Sequence, residues 1–559
     1  MVIAELEHIL SMISEKLGYD KLHVKKSNIA DYQCDDLFNL AKTYHKSPLV
    51  IGEEIVSEIN KLDNFDDYFK EVSFCNPGFI NITLSDSFIN RTLMFMNDTN
   101  KFGIKIEEKK TYVIDYGGPN IAKPLHVGHM RPAIVGESIK RILKYFDQKV
   151  IADVHYGDFG LQIGEVIYGI KERNIPIDKV TLDDLNTIYP EMSKLCKEDE
   201  NVKEVCANIT KELQDGNLEY ETYYKKILEL SLNDIKRIYN YLDVDFDLWY
   251  GEMDSRKYMS TVEQILKDKN LLTISEGASV VNVSEPTDTK ELPPLIFKKS
   301  NGAYLYGSTD MATIYQREQD FHPDYILYVT DLRQKLHFEQ VFRASLKAGI
   351  TDAKLEHLGF GTINGTDGKP YKTRSGETPK LDSLFKEVEE IFKSSKESNK
   401  DMNDEDTKKI VNAILKFADL QNNRDRDYIF DINKFSNVVG KTGPYMLYTY
   451  LRLNKIIECE KSSDKISNII YNDVDRNLRL KILELDSEIK KAFSERMPSY
   501  IADYLYDLAI CANNFYQNNH ISSCDDNIKK ADWLYIINLT KKILKEMLDL
   551  IIIDVPTIM

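Results

Sequence analysis

The chain has 559 residues, of which 42% are hydrophobic and 29% charged, and its formal net charge is −17. This length exceeds a single domain and suits three or four. The negative charge excludes a protein that coats nucleic acid through a general positive field, but it permits RNA recognition by local basic patches and aromatic stacking. Scattered cysteines without a CxxC pair, and the lack of a long apolar run, predict neither a structural metal site nor membrane insertion.

The first predicted domain covers residues 1–105 and is of the α+β type. Three helical patterns come first, at residues 3–17, 35–44 and 50–61. The string FKEVSFCNPGFINITLS then indicates a strand, a turn and a second strand. Within it, Asn76, Phe79 and Asn81 are candidates for stacking on and hydrogen bonding to an unpaired RNA base. A plain hairpin with a core phenylalanine explains the same pattern equally well.

A strand, a glycine turn and an amphipathic helix follow in the string YVIDYGGPNIAKPLHVGHMRPAIVGESIKRILKYF. Lys123, His126, Gly128 and His129 lie between the strand and the helix. Such a helix start favours phosphate binding, because free backbone N–H groups and the helix dipole point toward the ligand. The imidazoles add donors for a phosphate oxygen, and the glycine lets a flat base approach. An isolated HVGH string is also compatible with turn histidines that are only capped locally.

Strand and helix patterns alternate over residues 106–380, which favours a doubly wound parallel sheet with a ligand crevice at the carboxyl ends of its strands. A strand at KVIADVHYGD leads into a helix at about residues 160–172. Further strands are predicted at residues 279–283, 303–307, 325–329 and 354–361. Residues 175–250 are charged and helical, and we interpret them as an insertion or connective region without identifiable chemistry.

A basic, glycine-rich loop follows the last predicted strand, in the string GTINGTDGKPYKTRSGETPKL. It carries Lys369, Lys372 and Arg374. Nucleotidyl transfer needs positioning and positive charge around the departing oxygens, so cations on a flexible element facing the strand–helix turn suit that chemistry. Taken alone, such a loop is more often a solvated turn.

A separate all-α bundle is expected over residues 381–559, and the polar stretch 394–406 is its predicted linker. The helical patterns lie at residues 382–397, 404–422, 443–461, 473–492, 498–517 and 527–549. Tyr445, Tyr448 and Arg452 share one helix face and suit splayed single-stranded bases. Tyrosines in the core of the bundle would give the same spacing.

The string PNIAKPLHVGHMR resembles the HIGH signature of class I aminoacyl-tRNA synthetases, in the form used by arginyl-tRNA synthetases. The basic loop resembles their second signature, but it reads KTRSG where the usual loop reads KMSKS, with Ser375 at the position of the second lysine. Many arginyl-tRNA synthetases share this departure, and the lysine before the HIGH motif is thought to supply the missing charge. By this resemblance Lys123 contacts the phosphate chain of ATP, with Arg374 assisting.

The same resemblance implies an arginine pocket. A guanidinium is planar and permanently charged, and carboxylates bind it best in bidentate geometry. The resemblance assigns the guanidinium-binding acids to Asp115 and Asp310 and the pocket tyrosine to Tyr306. It assigns the α-carboxylate or ammonium end of arginine to Asn120, and Gln334 completes the site. Without the resemblance, Asp115 is explained as a strand-end cap and Asp310 as a helix N-cap.

Sites for ATP and tRNA are implied in the same way. The resemblance assigns ATP contacts to His126, His129, His337, Lys369 and Lys372. It assigns tRNA contacts to Asn76, Phe79 and Asn81 in an N-terminal domain that touches the tRNA corner, to Tyr445, Tyr448 and Arg452 in an anticodon-binding helix, and to Met559 at the VPTIM ending.

The sequence therefore predicts a Rossmann-like doubly wound α/β catalytic domain, flanked by an N-terminal α+β domain and a C-terminal helical bundle. The resemblance implies a cytoplasmic monomer that ligates L-arginine to tRNA(Arg), using ATP with Mg²⁺ and no protein-bound structural metal. One alternative is another class I synthetase, for glutamine or cysteine, although no zinc-ligand set for the cysteine case is visible. The other is a non-catalytic paralogue that binds tRNA or arginine.

Overall fold

The computed structural model describes residues 1–372, 380–395, 402–460 and 465–559. Arg374 and residues 396–401 of the predicted linker lie outside these ranges. The described residues form two compact units. The first unit consists of Met1–Ile106, Met446–Ser494 and Tyr500–Leu548. The second unit consists of Glu107–Tyr445, Glu495–Ser499 and Asp549–Met559.

The N-terminal part of the first unit is α+β, as the sequence predicts. Its helices are α1 (Val2–Lys16), α2 (Leu37–Tyr44), α3 (Pro48–Ile59), α4 (Phe65–Tyr68) and α5 (Asp86–Asp98). Its strands are β1 (Lys25–Lys26), β2 (Tyr32–Cys34), β3 (Phe69–Cys75) and β4 (Phe79–Leu84). They pair antiparallel in the order β1-β2-β4-β3. Ser47 and Ser85 accept backbone N–H bonds at the starts of α3 and α5, which fixes where these helices begin.

The second unit contains the alternating part of the chain. Its strands are β5 (Thr111–Asp115), β6 (Lys149–Asp153), β7 (Leu272–Ser275), β8 (Ala278–Val281), β9 (Leu295–Lys298), β10 (Tyr325–Tyr328), β11 (Lys354–His357), β12 (Ile363–Asn364) and β13 (Tyr428–Ile429). Its helices are α6 (Val127–Tyr145), α7 (Leu161–Glu172), α8 (Leu182–Glu198), α9 (Glu200–Gln214), α10 (Leu218–Tyr241), α11 (Glu252–Ser255), α12 (Met259–Asp268), α13 (Tyr306–Phe321), α14 (Lys335–Ala348), α15 (Leu381–Lys393), α16 (Asp404–Leu420) and α17 (Ile432–Phe435).

Parallel strands form the central sheet of this unit, in the order β11-β10-β5-β6. The chain passes from β5 to β6 on one side and returns on the other side with β10, so β5 lies where the winding reverses. Doubly wound sheets bind ligands outside the carboxyl ends of their strands at such a point. Asp115, the last residue of β5, stands in register with Tyr328 on β10 and Asp153 on β6. The topology therefore places Asp115 at the point of the sheet where a ligand is expected to bind.

One predicted strand is wrong and another belongs to a different sheet. Residues 303–307 lead into α13, because the Leu305 N–H donates to Ser308 Oγ and the Ser308 hydroxyl donates to the Phe297 carbonyl. This helix-start network overrides the strand propensity of the tyrosines. The strand predicted at 279–283 exists as β8, but it lies in an antiparallel sheet of order β7-β8-β9.

The remaining helices are α18 (Gly443–Cys459), α19 (Asp473–Leu483), α20 (Leu485–Glu495), α21 (Ser499–Asn518) and α22 (Asn527–Leu550). The all-α prediction for the C-terminal region is therefore confirmed, apart from the short strand β13. The single helix predicted at 473–492 is interrupted at Glu484, which separates α19 from α20. In the described ranges, no helix combines the length and the apolar character that a membrane span needs.

Candidate active site

A crevice lies at the carboxyl ends of β5 and β10. Within the described part of the chain it holds two adjoining cavities, of 610 Å³ and 480 Å³. Their shared walls are Asp115, Gly118, Asn120, Thr330, Arg333 and Gln334. We call the larger one the histidine cavity, because His126 and His129 line it, and the smaller one the acidic cavity, because Glu252 and Asp310 line it.

His126 and His129 form a reciprocal cap at the start of α6. The His126 backbone N–H donates to His129 Nδ1 at 3.1 Å, and the Gly128 N–H donates to His126 Nδ1 at 3.1 Å. Because both Nδ1 atoms accept, each neutral ring carries its proton on Nε2. The cap therefore fixes the tautomers and makes the two Nε2–H groups the donors that these rings offer to a ligand.

Desolvation in the crevice and neighbouring positive charge lower the pKa of both rings. Although His126 is exposed, desolvation, followed by the charge of Lys123, lowers its pKa. Burial, together with neighbouring His126, lowers the pKa of His129 to about 3. The ring centroids are 3.9 Å apart, so two protonated rings would repel each other. A Cβ at Gly128 would lie 2.9 Å from His126 Cε1, which explains why glycine stands between them.

The acidic cavity brings together residues from α11, α13 and α14. Asp310 on α13 shares a hydrogen bond of 2.5 Å with His337 Nε2, in the first turn of α14. Tyr306, the first residue of α13, is 60% exposed and lines the same cavity. Asp310 and Tyr306 were both assigned to the arginine pocket, whereas His337 was assigned to ATP. The structure places His337 in the acidic cavity with them, in direct contact with Asp310, and not on the wall of the histidine cavity.

Glu252, which the sequence analysis missed, adds a third carboxylate to this cavity, beside those of Asp115 and Asp310. It is the first residue of α11, and its backbone N–H donates to the Tyr156 carbonyl at 3.1 Å. Burial raises the pKa of Glu252 to about 7; positive His155 opposes this shift, and the carboxylates of Asp158 and Asp310 add to it. Its signal in the sequence is weak, because it follows the short apolar string LWYG at the end of a region of charged helices.

Asp115 lies at the floor of both cavities in a buried charge network. Arg317 Nη2 is 2.6 Å from Asp115 Oδ2 and 2.8 Å from Asp153 Oδ2. His155 Nδ1 is 3.7 Å from Asp153 Oδ2. Although burial opposes its protonation, the carboxylates of Asp153 and Asp115 raise the pKa of His155 to about 9. Two carboxylates thus face two cations, and the network is close to neutral.

The ligand atoms of Asp115, Asp153 and His155 lie within 4.8 Å of one another, as in a metal site. Here, however, the guanidinium of Arg317 already bonds both carboxylates. The positive charge that a metal ion would supply is present, and protonated His155 is not a metal ligand. These residues do not fit a resident metal ion.

Asn120 and Gln334 lie between the two cavities, as parts of both walls. Asn120 is bridged to Gly157, where a Cβ would lie 2.5 Å from Asn120 Oδ1. Gln334 ends the turn before α14. Arg333, which the sequence analysis did not name, lines both cavities and pairs with Asp331 at 2.6 Å. It is a further cation in the crevice.

The predicted lysines stand outside the cavity walls. The Lys123 ammonium lies 4.8 Å from the ring centroid of Tyr189 on α8. Lys369 and Lys372 are exposed, in the described arm of the basic loop, where the Gly365 N–H donates to the Lys369 carbonyl at 2.7 Å. The far end of the loop returns beside the histidines, since Lys380 forms an antiparallel bridge with His126.

Comparison with known proteins identifies the family of this chain. Residues 92–432 match the family model for the class I (R) tRNA synthetase catalytic domain. Residues 2–84 match the arginyl tRNA synthetase N terminal domain, and residues 446–559 match the DALR anticodon binding domain. The arginine–tRNA ligase of Alkaliphilus oremlandii is 39% identical, with 100% of this chain and 99% of the relative covered. The chain belongs to the arginyl-tRNA synthetase family.

Two further comparisons agree. The arginine–tRNA ligase of Agathobacter rectalis is 37% identical over 99% of this chain and 100% of its own length. The crystal structure of the arginyl-tRNA synthetase from Plasmodium falciparum matches with a TM-score of 0.84 at 28% identity, covering 100% of this chain and 99% of that one. Arginyl-tRNA synthetases use ATP as a substrate, generally with Mg²⁺. Class I synthetases for glutamine or cysteine are therefore set aside.

The residues that the arginyl-tRNA synthetase resemblance assigned to the tRNA corner lie on the β3–β4 hairpin. Asn76 is exposed in the turn. Phe79 is half-buried, and its ring centroid is 5.5 Å from that of Phe38 in an edge-to-face contact. Asn81 Oδ1 accepts a hydrogen bond from Gln33 Nε2 at 2.8 Å. Phe79 is therefore neither a core residue nor a fully exposed ring.

The residues that the resemblance assigned to an anticodon-binding helix lie on α18. Tyr448 is 42% exposed, so it is a surface residue rather than part of the bundle core. The Arg452 guanidinium donates to the Tyr448 hydroxyl at 2.5 Å and to Asn513 Oδ1 at 2.9 Å. Tyr445 is half-buried. Met559 is half-buried and follows Thr557, whose hydroxyl donates to Asp406 at 2.5 Å.

Proposed function

We propose that the protein ligates L-arginine to tRNA(Arg) in two ATP-dependent steps. In the first step, a carboxylate oxygen of arginine attacks the α-phosphorus of ATP, which forms arginyl-adenylate and expels pyrophosphate. In the second step, a ribose hydroxyl at the 3′ end of the tRNA attacks the arginyl carbonyl carbon, and AMP leaves. The observation that carries this proposal is the adjoining pair of cavities, one with two imidazole donors and one with the carboxylates of Asp310 and Glu252, with Asp115 shared by both.

Arginine binds in the acidic cavity, with its guanidinium toward Asp310, Glu252 and Tyr306. A planar fork of N–H donors suits two carboxylates and a phenol oxygen. Asp115 was assigned a direct guanidinium contact by the family resemblance, but its charge is already shared with Arg317. Asp310 and Glu252 therefore select the substrate, and Asp115 forms the floor of the pocket. Asn120 and Gln334 hold the α-amino acid end, where both cavities meet.

ATP, as its Mg²⁺ complex, binds in the histidine cavity. The two Nε2–H groups of His126 and His129 donate to phosphate oxygens as charge moves onto the leaving pyrophosphate. Such preorganised donors are effective because they need no reorganisation during the reaction. Lys123, Lys369, Lys372 and Arg374 supply positive charge to the phosphate chain. Because Lys123 lies against Tyr189 in this structure, its role requires movement toward the nucleotide.

The pH dependence of arginine binding tests the role of Glu252. Ionised Glu252 binds a guanidinium, whereas protonated Glu252 does not attract it. Its pKa of about 7 places this ionisation within the working range. We expect KM for arginine to fall about tenfold as pH rises from about 6 to 8. The change Glu252→Gln should flatten this dependence and hold KM near its acidic value.

Steady-state aminoacylation across that pH range measures the effect. Arg333→Lys, a second charged position in the crevice that does not titrate there, is the control and should keep the slope. Asp158 lies near Glu252, and burial raises the pKa of Asp158 to about 6. Any pH dependence of KM that remains in Glu252→Gln therefore measures the contribution of Asp158. An unchanged slope in Glu252→Gln would assign the titration elsewhere.

The chain is proposed to have three domains, of which the first and the last contact the tRNA outside the catalytic site. Residues 1–105 contact the corner of the tRNA, 106–380 form the catalytic domain and 381–559 bind the anticodon. In the first, Asn76, Phe79 and Asn81 meet an unpaired base. In the last, the anticodon meets Tyr445, Tyr448, Arg452 and Met559. The protein acts as a monomer in the cytoplasm, where translation consumes aminoacyl-tRNA.

Replacing Phe79 by leucine tests the corner contact. Leucine keeps apolar volume against Phe38 but removes the flat face on which a base stacks. A stacked base is worth about 1–3 kcal/mol, so we expect KM for tRNA to rise about tenfold or more, with unchanged KM for arginine and ATP. The matched control is Phe95→Leu, an aromatic side chain that is 49% exposed on α5. Equal KM values in the two variants would remove Phe79 from the tRNA surface.

The proposed function itself is tested by charging. The pure protein is incubated with ATP, Mg²⁺, a total tRNA fraction and each labelled amino acid in turn. We expect acid-precipitable label with arginine alone. Label with another amino acid would contradict the proposal, and no label with any amino acid would favour the non-catalytic paralogue.

A further inference from the structure

Helix α10 lies in the region where the sequence showed no chemistry, yet its hydroxyl groups contact the crevice loops. Tyr224, Ser231 and Tyr239 are spaced by about two helical turns each, so they lie along one side of the helix. The Tyr224 hydroxyl donates to Asp158 Oδ2 at 2.5 Å. Asp158 also accepts from the Met253 N–H at 2.9 Å, next to Glu252 of the acidic cavity.

The other two hydroxyls contact the loop between β5 and α6, which carries the HVGH string. Ser231 Oγ accepts from the Ala122 N–H at 2.9 Å, and both residues are buried. The Tyr239 hydroxyl donates to the Gly117 carbonyl at 3.2 Å. Each bond satisfies a backbone group of the loop that has no strand or helix partner. α10 therefore holds this loop at two points.

Ala122 shows why this support is needed. Its φ is 64°, in the left-handed region that a residue with a Cβ rarely adopts. Two residues before it, Asn120 lines both cavities, and directly after it Lys123 turns toward Tyr189. Such a conformation persists only where the surroundings determine it. The bond to Ser231 is the contact that fixes the Ala122 amide.

We propose that α10 positions two loops of the crevice for arginine activation, the loop between β5 and α6 and the loop between β6 and α7. We also propose that Ser231 is a positioning residue of the reaction. Ser231 touches neither substrate; it acts through Ala122 on Asn120 and Lys123. Helix α10 is thus a part of the catalytic machinery. This inference rests on the proposed function, because the experiment that tests it measures arginine activation.

The change Ser231→Ala removes the acceptor and leaves a buried amide unpaired. Arginine-dependent exchange of pyrophosphate into ATP is measured with tRNA(Arg) present. We expect kcat to fall about 10- to 100-fold and KM for arginine to rise to a smaller extent, because the loop relaxes away from the left-handed conformation and displaces Asn120 and Lys123. Adding Ala122→Gly should restore several-fold of the lost kcat, since glycine adopts positive φ without strain. Tyr239→Phe, with unchanged volume, should lower kcat to a smaller extent.

The control is Thr210→Val, which removes a buried hydroxyl that bonds only within α9, to the Cys206 carbonyl at 2.9 Å. Melting temperatures are compared for all variants. Equal kcat in Ser231→Ala and Thr210→Val would overturn the positioning role. So would a loss of kcat that tracks melting temperature and does not respond to Ala122→Gly. Failure of the wild-type protein to activate arginine would instead overturn the proposed function.

Discussion

Replacing Asp310 by asparagine is expected to lower kcat/KM for arginine about a hundredfold or more. Asparagine keeps the size of the side chain and its contact with His337, but it removes one of the two charges that face the guanidinium. Truncating one partner of a desolvated charge pair costs about 2–5 kcal/mol. KM for ATP and for tRNA should stay unchanged, because Asp310 lines the acidic cavity and not the histidine cavity proposed for ATP. Aminoacylation with each substrate varied in turn gives these constants.

Asp352→Asn is the matched control, since Asp352 is exposed outside the crevice. The double change of Asp115 and Asp310 to alanine should abolish the use of arginine. It is the less specific experiment, however, because Asp115→Ala leaves Arg317 buried with one carboxylate fewer. If Asp310→Asn charged tRNA as well as Asp352→Asn does, the guanidinium would have to bind elsewhere.

The sequence was sufficient for the elements whose periodicity is local. Most helices and the strands β5, β10 and β11 lie within a few residues of their predicted ranges. The strand predicted at 303–307 failed because Ser308 bonds the Phe297 carbonyl across the chain, which no local pattern encodes. The predicted helix at 473–492 failed in a milder way, since its apolar spacing continues across the break at Glu484.

The sequence predicted those site residues that belong to a recognisable motif. It did not predict the residues that only the packing of the fold brings into the site. His126, His129, Asp310 and Tyr306 all line the crevice, as the resemblance implied. Arg317 was missed because a charged residue on a helix is usually solvated, although its position two turns after Asp310 puts it on the same face of α13.

The region 175–250 showed no chemistry in the sequence, because two of the three hydroxyl contacts of α10 are hydrogen bonds to backbone atoms. Ser231 and Tyr239 bond Ala122 and Gly117, and neither partner has a functional side chain. The sequence alone does not reveal such a contact, because serine and tyrosine are common on helices that have no such role. Only the fold, which brings α10 against the loop after β5, makes these residues visible.

Replacing His126 or His129 by asparagine is expected to lower kcat for arginine activation about 100- to 1000-fold. The asparagine amide oxygen can occupy the place of Nδ1 and keep the cap on α6, but no donor then stands in the place of Nε2–H. The change therefore separates transition-state donation from helix capping. Pyrophosphate exchange gives kcat, and equilibrium binding of ATP should change much less, because the donors act mainly on charge that develops during the transfer.

The control is His322→Asn, an exposed histidine with a φ of 45°, which asparagine tolerates. The double variant of His126 and His129 should lose little more than either single variant, since two donors to one phosphate chain act as a unit. The pH profile adds an independent check. With the pKa of His129 lowered to about 3, kcat should show no titration of this ring above about pH 5. A wild-type limb near pH 6.5 that disappears in His129→Asn would mean that the ring acts as a proton carrier and not as a fixed neutral donor.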